Sequence, residues 1–386
     1  MKKIRFIGLC LFILLLFTSG TTVKKIYNPY NGLELQLDSI RLKYNIPAIA
    51  YGVIRNDSIL VENAIGYRNI ETKEKISAGD LFHIGSNTKS LTSFLAGKLI
   101  ENGLISWDTR FFDLYPELKA ESNPVYADIT LLQLLCHRAR LIKFENESEV
   151  YPIVDYEKNI GKNLSLPEKR YQFIRQVLKY DPIPLYDFHD DRYSNAGYIA
   201  AALMLEKVTG KHWEELITGI SDELNLGIHI GWPDSDKPNQ PKGHINPDQW
   251  KIDSDKALIP IPPILKNYHY FNQYVLLCSP AGNTSINVSG FLKYLKLNLD
   301  GLDGKDNYLK AETYKHLFNA YPDYSCGWVN EEYVVRCFHH KGSAGTFNSI
   351  AVMVPENKLG IVIMINTYNG EEINELARIL INRFNR

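Results

Sequence analysis

Apolar and polar positions fall into the same pattern at both ends of this chain. Near the N-terminus "LELQLDSIRLKYN" reads as a helix, followed by two β-type runs, "AIAYGVI" and "ILVENAIGY", joined by the turn-rich "RNDS". Near the C-terminus "NSIAVMVP" and "LGIVIMIN" are again two strands, joined by "ENK". They lead into "EEINELARILINRF", where Ile373, Leu376, Ala377, Leu380 and Phe384 recur at helical spacing. Both ends thus offer strands plus one helix. The economical solution is a single antiparallel sheet formed by both chain ends and covered by the two terminal helices. Between about residues 108 and 301 helical patterns dominate, as in "AGYIAAALMLEKVTG" and "SGFLKYLKLNLDG". The expected class is α/β of the α+β kind, with a sheet part over about 32–107 and 302–386 and a helical part over about 108–301. Two stretches, "KFENESEVYPIVDYEKNIGKN" and "GWPDSDKPNQPKGHINPDQWKIDSDKALIPIPP", fit neither pattern. Long irregular connections in a compact domain commonly serve as walls or lids of a site.

The N-terminus is a separate segment. "MKKIR" is a positive n-region, "FIGLCLFILLLF" an apolar h-region and "TSG" a small-residue stretch suited to cleavage, which together make a secretory signal over residues 1–20. The apolar run from Phe6 to Phe17 is short for a membrane span, and a retained anchor is the alternative. The expectation is an exported protein, periplasmic or secreted, with residues 21–386 as its domain and no stable span after processing. Cys10 leaves with the signal, and Cys136, Cys278, Cys326 and Cys337 are too few for a disulfide framework in a chain this long. "CGWVNEEYVVRC" can fold as a hairpin turning at Glu331-Glu332, which would set Cys326 opposite Cys337. The pair is either that disulfide or two buried thiols. No CxxC or His/Cys cluster with zinc-ligand spacing occurs, so a metal is not indicated. Lys+Arg 43 against Asp+Glu 44 gives a net charge of −1, and without a basic cluster nothing steers the protein toward nucleic acid.

Candidate chemistry gathers at three places. In "LFHIGSNTKSLTSFLAGKLIENG" a helix carries Leu91, Phe94, Leu95 and Leu99 on one face and stops at Asn102-Gly103. Its first turn sets Ser86 and Lys89 one above the other. A lysine beside a serine hydroxyl can accept its proton, or tune a neighbour that does, and a helix N-terminus favours a developing oxyanion. The alternative is an N-cap serine followed by a solvated lysine. YxN occurs at Tyr67, Tyr193 and Tyr270, but only Tyr193 and Asn195 stand in a turn just ahead of an apolar helix. A tyrosine becomes a base beside cations that lower its pKa, and Lys89 is a candidate cation. Third, "FHHKGSAGTFNSIAVMV" is a β-run with glycines at its start. There a ligand can approach the backbone closely, or the chain simply bends into a core strand.

Taken in this order, the three places resemble the serine β-lactamase and penicillin-binding superfamily, and most closely its class C–like branch of DD-peptidases, esterases and D-aminopeptidases. The matching residues are Ser86-Asn87-Thr88-Lys89, Tyr193-Ser194-Asn195, and His340-Lys341-Gly342 where the family has K/H-x-G. Surrounding blocks such as "ITLLQLLCH", "SPAGNTSINVSGFLKYL" and "LGIVIMIN" follow in family order across nearly all of the mature chain. The resemblance implies an all-helical subdomain inserted into the terminal-helix-flanked sheet, with a cleft between them. It implies Ser86 as the acylated nucleophile, Lys89 and Tyr193 handling its proton, and Asn195 positioning the substrate. The N–H groups of Ser86 and Ser343 would form the oxyanion hole, with His340 and Gly342 in the cleft wall. No metal or organic cofactor is implied. The partner is a small-molecule or peptide substrate; peptide, ester and β-lactam remain open, as does the oligomeric state, and a non-turnover penicillin-binding sensor is the alternative to a hydrolase. Two departures stand out. "HRARL" replaces the family's "HTSGL" from His137 to Leu141, which puts two arginines near the expected cleft entrance. Lys341 is unusual at the middle of its triplet, and strand alternation turns it away from the His340 face.

Overall fold

The apolar runs of the two chain ends pair with each other. The computed structural model describes residues 28–144, 164–184, 192–235, 239–250, 254, 256–261, 275–370 and 372–386. In it strand β1 (Ala48–Arg55) runs antiparallel to β13 (Leu359–Ile365), with Ile49 opposite Ile365 and Arg55 opposite Leu359. The sheet also holds β2 (Ser58–Asn69), β3 (Glu74–Lys75), β9 (Tyr324–Ser325), β10 (Trp328–Glu332), β11 (Arg336–Ser343) and β12 (Asn348–Val354). Their order is β3-β2-β1-β13-β12-β11-β10-β9, antiparallel throughout. Beside it β4 (Phe82–His83), β8 (Thr284–Ile286) and β5 (His229–Ile230) form a small three-stranded sheet, and β6 (His244–Ile245) pairs with β7 (Ile259–Pro260).

Side chains alternate across a strand, so the central strands feed two cores. Ile350, Val352, Val354, Ile361, Ile363 and Ile365 pack with α1 (Leu33–Lys43) and the last helix, α11 (Ile373–Phe384). Ala351, Met353, Val362 and Met364 belong to the other core, shared with the helical body. Burial on both faces is why these strands read as unbroken apolar runs. Leu376, Leu380 and Phe384 of α11 are buried, each contributing about 1.5–3 kcal/mol. The helical body contains α2 (Thr88–Glu101), α3 (Phe111–Leu114), α4 (Leu131–Leu135), α5 (Leu166–Val177), α6 (Asn195–Thr209) and α7 (Trp213–Glu223). Then follow α8 (Ser279–Gly282), α9 (Val288–Leu302) and α10 (Ala311–Asn319), of which α9 lies against β1 and β13.

Two expectations need correction. Ser86 is not in the first turn of α2 but in a 3-10 turn, Gly85–Asn87, just ahead of it. The β10–β11 hairpin turns at 333–335 rather than at Glu331-Glu332, with Glu331 opposite Cys337 and Glu332 opposite Arg336. Cys326 therefore does not face Cys337. It sits in the β9–β10 turn with φ 45°, next to Gly327 at φ 89°, and its Sγ lies 3.5 Å from that of Cys136. Cys136, Cys278, Cys326 and Cys337 are all free and buried. Among the described residues no helix is long and apolar enough to cross a membrane. The segment 1–20, Tyr270, and most of the first unassigned stretch lie outside the described residues, as do parts of the second.

Candidate active site

The turn that carries Ser86 is pinned from both sides. Ile84 N–H donates to the Thr284 carbonyl at 2.9 Å, and Gly85 N–H to His83 Nδ1 at 3.1 Å. His83 Nδ1 accepts, so Nε2 carries the ring proton and donates to Asn283 Oδ1 at 3.2 Å. Burial pushes His83 down to about 4, which keeps it the neutral acceptor this turn needs. Thr88 Oγ1 donates to the Gly85 carbonyl at 2.7 Å. From the sheet side, Asn87 Nδ2 donates to Ser349 Oγ at 2.8 Å, and Ser349 Oγ to the Ile84 carbonyl at 2.8 Å. Two glycines let the turn touch β11. A Cβ at Gly85, where φ is +50°, would lie 2.6 Å from the Ser343 backbone nitrogen. One at Gly342 would lie 1.8 Å from the Ile84 carbonyl oxygen.

Lys89, one helical turn on, is 0% exposed. Its ammonium donates to Ser86 Oγ at 3.2 Å, to Asn195 Oδ1 at 2.7 Å and to the Ala281 carbonyl at 2.8 Å. It also stands 4.5 Å from the ring centroid of Tyr193 and 5.5 Å from that of Tyr198. Tyr193 and Asn195 reach this point because their segment is tied to the chain after α4. Ser194 N–H donates to His137 Nδ1 at 3.1 Å and Ser194 Oγ to the Ile142 carbonyl at 2.7 Å. Asn195 Nδ2 donates to the Phe144 carbonyl at 3.0 Å. Ser194 also caps α6, accepting from Gly197 N–H at 3.1 Å.

The opposite wall is β11. A cleft of about 940 Å³ is lined by Ser86, Tyr193 and Asn195 on the helical side and by His340, Lys341, Gly342 and Ser343 on the sheet side. His340 is 4% exposed, with Nδ1 2.6 Å from the Lys341 carbonyl and Nε2 3.1 Å from the Tyr324 hydroxyl. All the expected site residues thus converge on one cleft, whereas Tyr67 lies on β2 with its ring against Arg41 and Lys75. Lys89 forms the floor beneath Ser86.

The "HRARL" arginines do not crowd the cleft. Arg138 donates to Asp323 Oδ1 at 2.7 Å and lies 4.0 Å over the Tyr321 ring. Arg140 Nε donates to the Ile183 carbonyl at 3.0 Å. The backbone is left-handed at His137 (φ 57°) and Arg140 (φ 60°). His83, Ser349 and Tyr324 are site residues the sequence did not single out. The available signal was polarity inside apolar runs, such as a histidine two residues before Gly85 in "LFHIG".

Against known proteins, a family model described as Beta-lactamase matches residues 25–385. "Protein flp" of Staphylococcus aureus is 21% identical over 361 residues, covering 91% of this chain and 66% of that protein, so the chain spans just under two thirds of that relative. "Unguisins hydrolase ungD" of Aspergillus violaceofuscus is 25% identical over 226 residues, which is 57% of this chain and 38% of that protein. Among solved structures, the octameric penicillin-binding protein homologue from Pyrococcus abyssi superposes with a TM-score of 0.71 at 20% identity, covering 91% of this chain and 77% of that one. At that identity the likeness establishes the fold: a mixed α/β molecule with an antiparallel sheet.

Proposed function

The chain belongs to the Beta-lactamase family, and from that premise we propose that it is an exported serine hydrolase working through an acyl-enzyme on Ser86. The observation that carries this reading is the wholly buried ammonium of Lys89, 3.2 Å from Ser86 Oγ and bonded, among the described residues, to Asn195 Oδ1 and the Ala281 carbonyl. Such a lysine can take the serine proton, or hold Tyr193 in a state that does. Ser86 Oγ then attacks an amide or ester carbonyl while the Ser86 and Ser343 N–H groups receive the developing oxyanion. Tyr193 and Lys89 return the proton to the leaving group, and a water reverses the sequence to free the acyl group. Asn195 orients Lys89 through Oδ1, and Gly342 lets the turn that carries Ser86 lie against the β11 backbone beside His340. A relative named as a hydrolase supports the hydrolytic reading.

The substrate class proposed is a peptide, D-amino amide or small ester. The class C–type β-lactamases that the chain resembles carry lysine at position 340. Here a histidine stands, so the lysine ammonium that those enzymes place there is absent.

Intact-mass measurement after a fluorophosphonate tests the nucleophile. One adduct on Ser86 is expected, absent in Ser86→Ala, whose turnover of an ester panel should fall on the order of 10³-fold or more. Label on another serine would refute the assignment. In the same panel a chromogenic cephalosporin should leave a long-lived adduct, and a kcat/KM on the order of 10⁶ M⁻¹s⁻¹ would overturn that part. Export predicts loss of a segment ending near Gly20 when the native N-terminus is expressed. Intact Met1 on a soluble intracellular species argues the opposite.

A further inference from the structure

Tyr324, on the short edge strand β9, is 1% exposed yet still lines the cleft. Burial pushes its hydroxyl well above the ordinary tyrosine range, so it holds its proton. That hydroxyl lies 3.1 Å from His340 Nε2. The other ring nitrogen of His340 fixes the direction of this bond. Nδ1 is 2.6 Å from the Lys341 carbonyl oxygen, which can only accept, so Nδ1 carries a proton. In the neutral ring Nε2 is then bare, and Tyr324 must donate to it. The ring nitrogen that holds the proton is set by what the other one bonds, and here both are engaged by the protein.

Tyr324 itself is held on two sides. The preceding carboxylate, Asp323, is gripped by Arg138 at 2.7 Å and by Arg192. Burial pushes the Asp323 carboxyl up, but the Tyr324 backbone N–H and the two guanidinium groups outweigh it and hold it below its ordinary value. The Tyr324 ring lies 4.5 Å from the His137 ring and meets Tyr193 edge-on at 6.5 Å. The ring is therefore fixed before its hydroxyl makes any bond.

We propose that Tyr324 is a positioning residue for the reaction at Ser86: its hydroxyl, donating to Nε2, fixes the rotation of His340 in the tautomer that the Lys341 carbonyl sets, so that neither ring nitrogen is offered to Tyr193 or to substrate. This rests on the acyl-transfer reading above. A His340 freed from Tyr324 would turn a nitrogen toward Tyr193, whose ring is 6.3 Å away, and would compete for the proton that Tyr193 and Lys89 exchange with Ser86.

Histidine labelled with ¹⁵N tests the geometry without reference to activity. A long-range ¹H–¹⁵N spectrum, with His340 assigned by its absence in His340→Asn, should show an Nδ1–H ring in the full chain. Tyr324→Phe keeps the ring packing and removes only the hydroxyl. It should leave the proton on Nδ1 but move the His340 Nε2 resonance toward that of an unbonded ring nitrogen, and lower kcat for a small ester on the order of tenfold, the worth of one hydrogen bond, with KM changed less. In a His340→Asn background the same phenylalanine should cost nothing further. An Nε2–H ring in the wild-type protein overturns the proposal, and so does an equal loss from Tyr324→Phe with and without His340. The wild-type spectrum decides even if Tyr324→Phe does not fold. A wild-type protein that turns over no ester or amide would instead sink the hydrolase reading, and the spectrum separates the two failures.

Discussion

Arg170 in the helical body and Lys89 under the cleft are both wholly buried cations, and they are solvated in opposite ways. Arg170, on α5, meets Glu206 of α6 at 2.5 Å and Glu214 of α7, so two carboxylates surround one guanidinium. Glu206 also accepts from Trp213 N–H at 2.9 Å. Burial pushes the Glu206 carboxyl up, and Arg170 with the Trp213 N–H pulls it back. Among the described residues Lys89 is met by a hydroxyl, an amide oxygen, a backbone carbonyl and two aromatic ring faces. Carboxylates lock a cation in its charged state, because neutralising it would strand buried negative charge. Neutral dipoles hold it in place while leaving the proton available for transfer. One cation ties three helices together; the other is placed for chemistry.

Exchanging the two roles by mutation tests this contrast most strongly. Lys89→Met should lower turnover on the order of 10³-fold or more, while the protein stays folded or gains stability, since a buried charge is replaced by an apolar chain. Arg170→Met should do the reverse. It strands two carboxylates, so urea unfolding should show a loss of about 3–5 kcal/mol, with turnover per folded molecule nearly unchanged. If Lys89→Met unfolds the protein, or Arg170→Met disables folded enzyme, the contrast is wrong. Kinetics of Tyr193→Phe and the double variant sharpen it further. Removing both Lys89 and Tyr193 should cost little more than removing one, because they exchange a single proton. Strictly additive losses would separate them.

Two buried histidines extend the comparison to groups kept neutral. Burial pushes both His83, beside Ser86, and His244, on β6, down to about 4. Between the unfolded value near 6.5 and about 4, the unfolded chain binds protons that the folded protein refuses. Stability should therefore fall as pH drops through that window and level off below it, by on the order of a few kcal/mol in total. Asp323, whose folded value is depressed, loses its contribution only at still lower pH. Urea midpoints measured from pH 7 down to pH 4.5 check the slope, and His83→Asn and His244→Gln should each flatten it. A curve flat across this range would contradict the buried-neutral assignment.

What the sequence disclosed, and what it hid, follows the range of the interactions. The paired chain ends were legible because each strand buries both faces and each terminal helix buries one, so periodicity alone marks them. Ser86 and Lys89 were legible because three residues of helical spacing put them together. His83 was not, since its partner Asn283 lies 200 residues away, and Ser349 was not, since Asn87 lies 262 residues away. Nothing local marks either as polar support for a turn. Arg138 read as a residue of the cleft entrance for the same reason: Asp323, which holds it, is 185 residues further on. The hairpin between β10 and β11 was seen but placed about two residues early. "EEYVV" offers no glycine, proline or asparagine to fix its turn, and the register is set instead by β11 pairing with β12.

That shifted turn gives the smallest expected effect. Cys326 Sγ lies 3.5 Å from Cys136 Sγ, and the Cys326 backbone N–H points at the same sulfur at 3.3 Å. Burial pushes the Cys326 thiol well up and that of Cys337 up to about 11, so both are protonated and unreactive in the folded protein. An aromatic disulfide reagent should reach these thiols only as urea unfolds the chain. Cys326→Ala removes one sulfur from a packed neutral pair. The expected cost is about 1 kcal/mol in stability with ester turnover unchanged, far below the effect of stranding the carboxylates of Arg170. Peptide mapping without reductant decides the pairing. A Cys326–Cys337 crosslink would require the hairpin to turn where the backbone register forbids it, because Glu331, not Cys326, stands opposite Cys337.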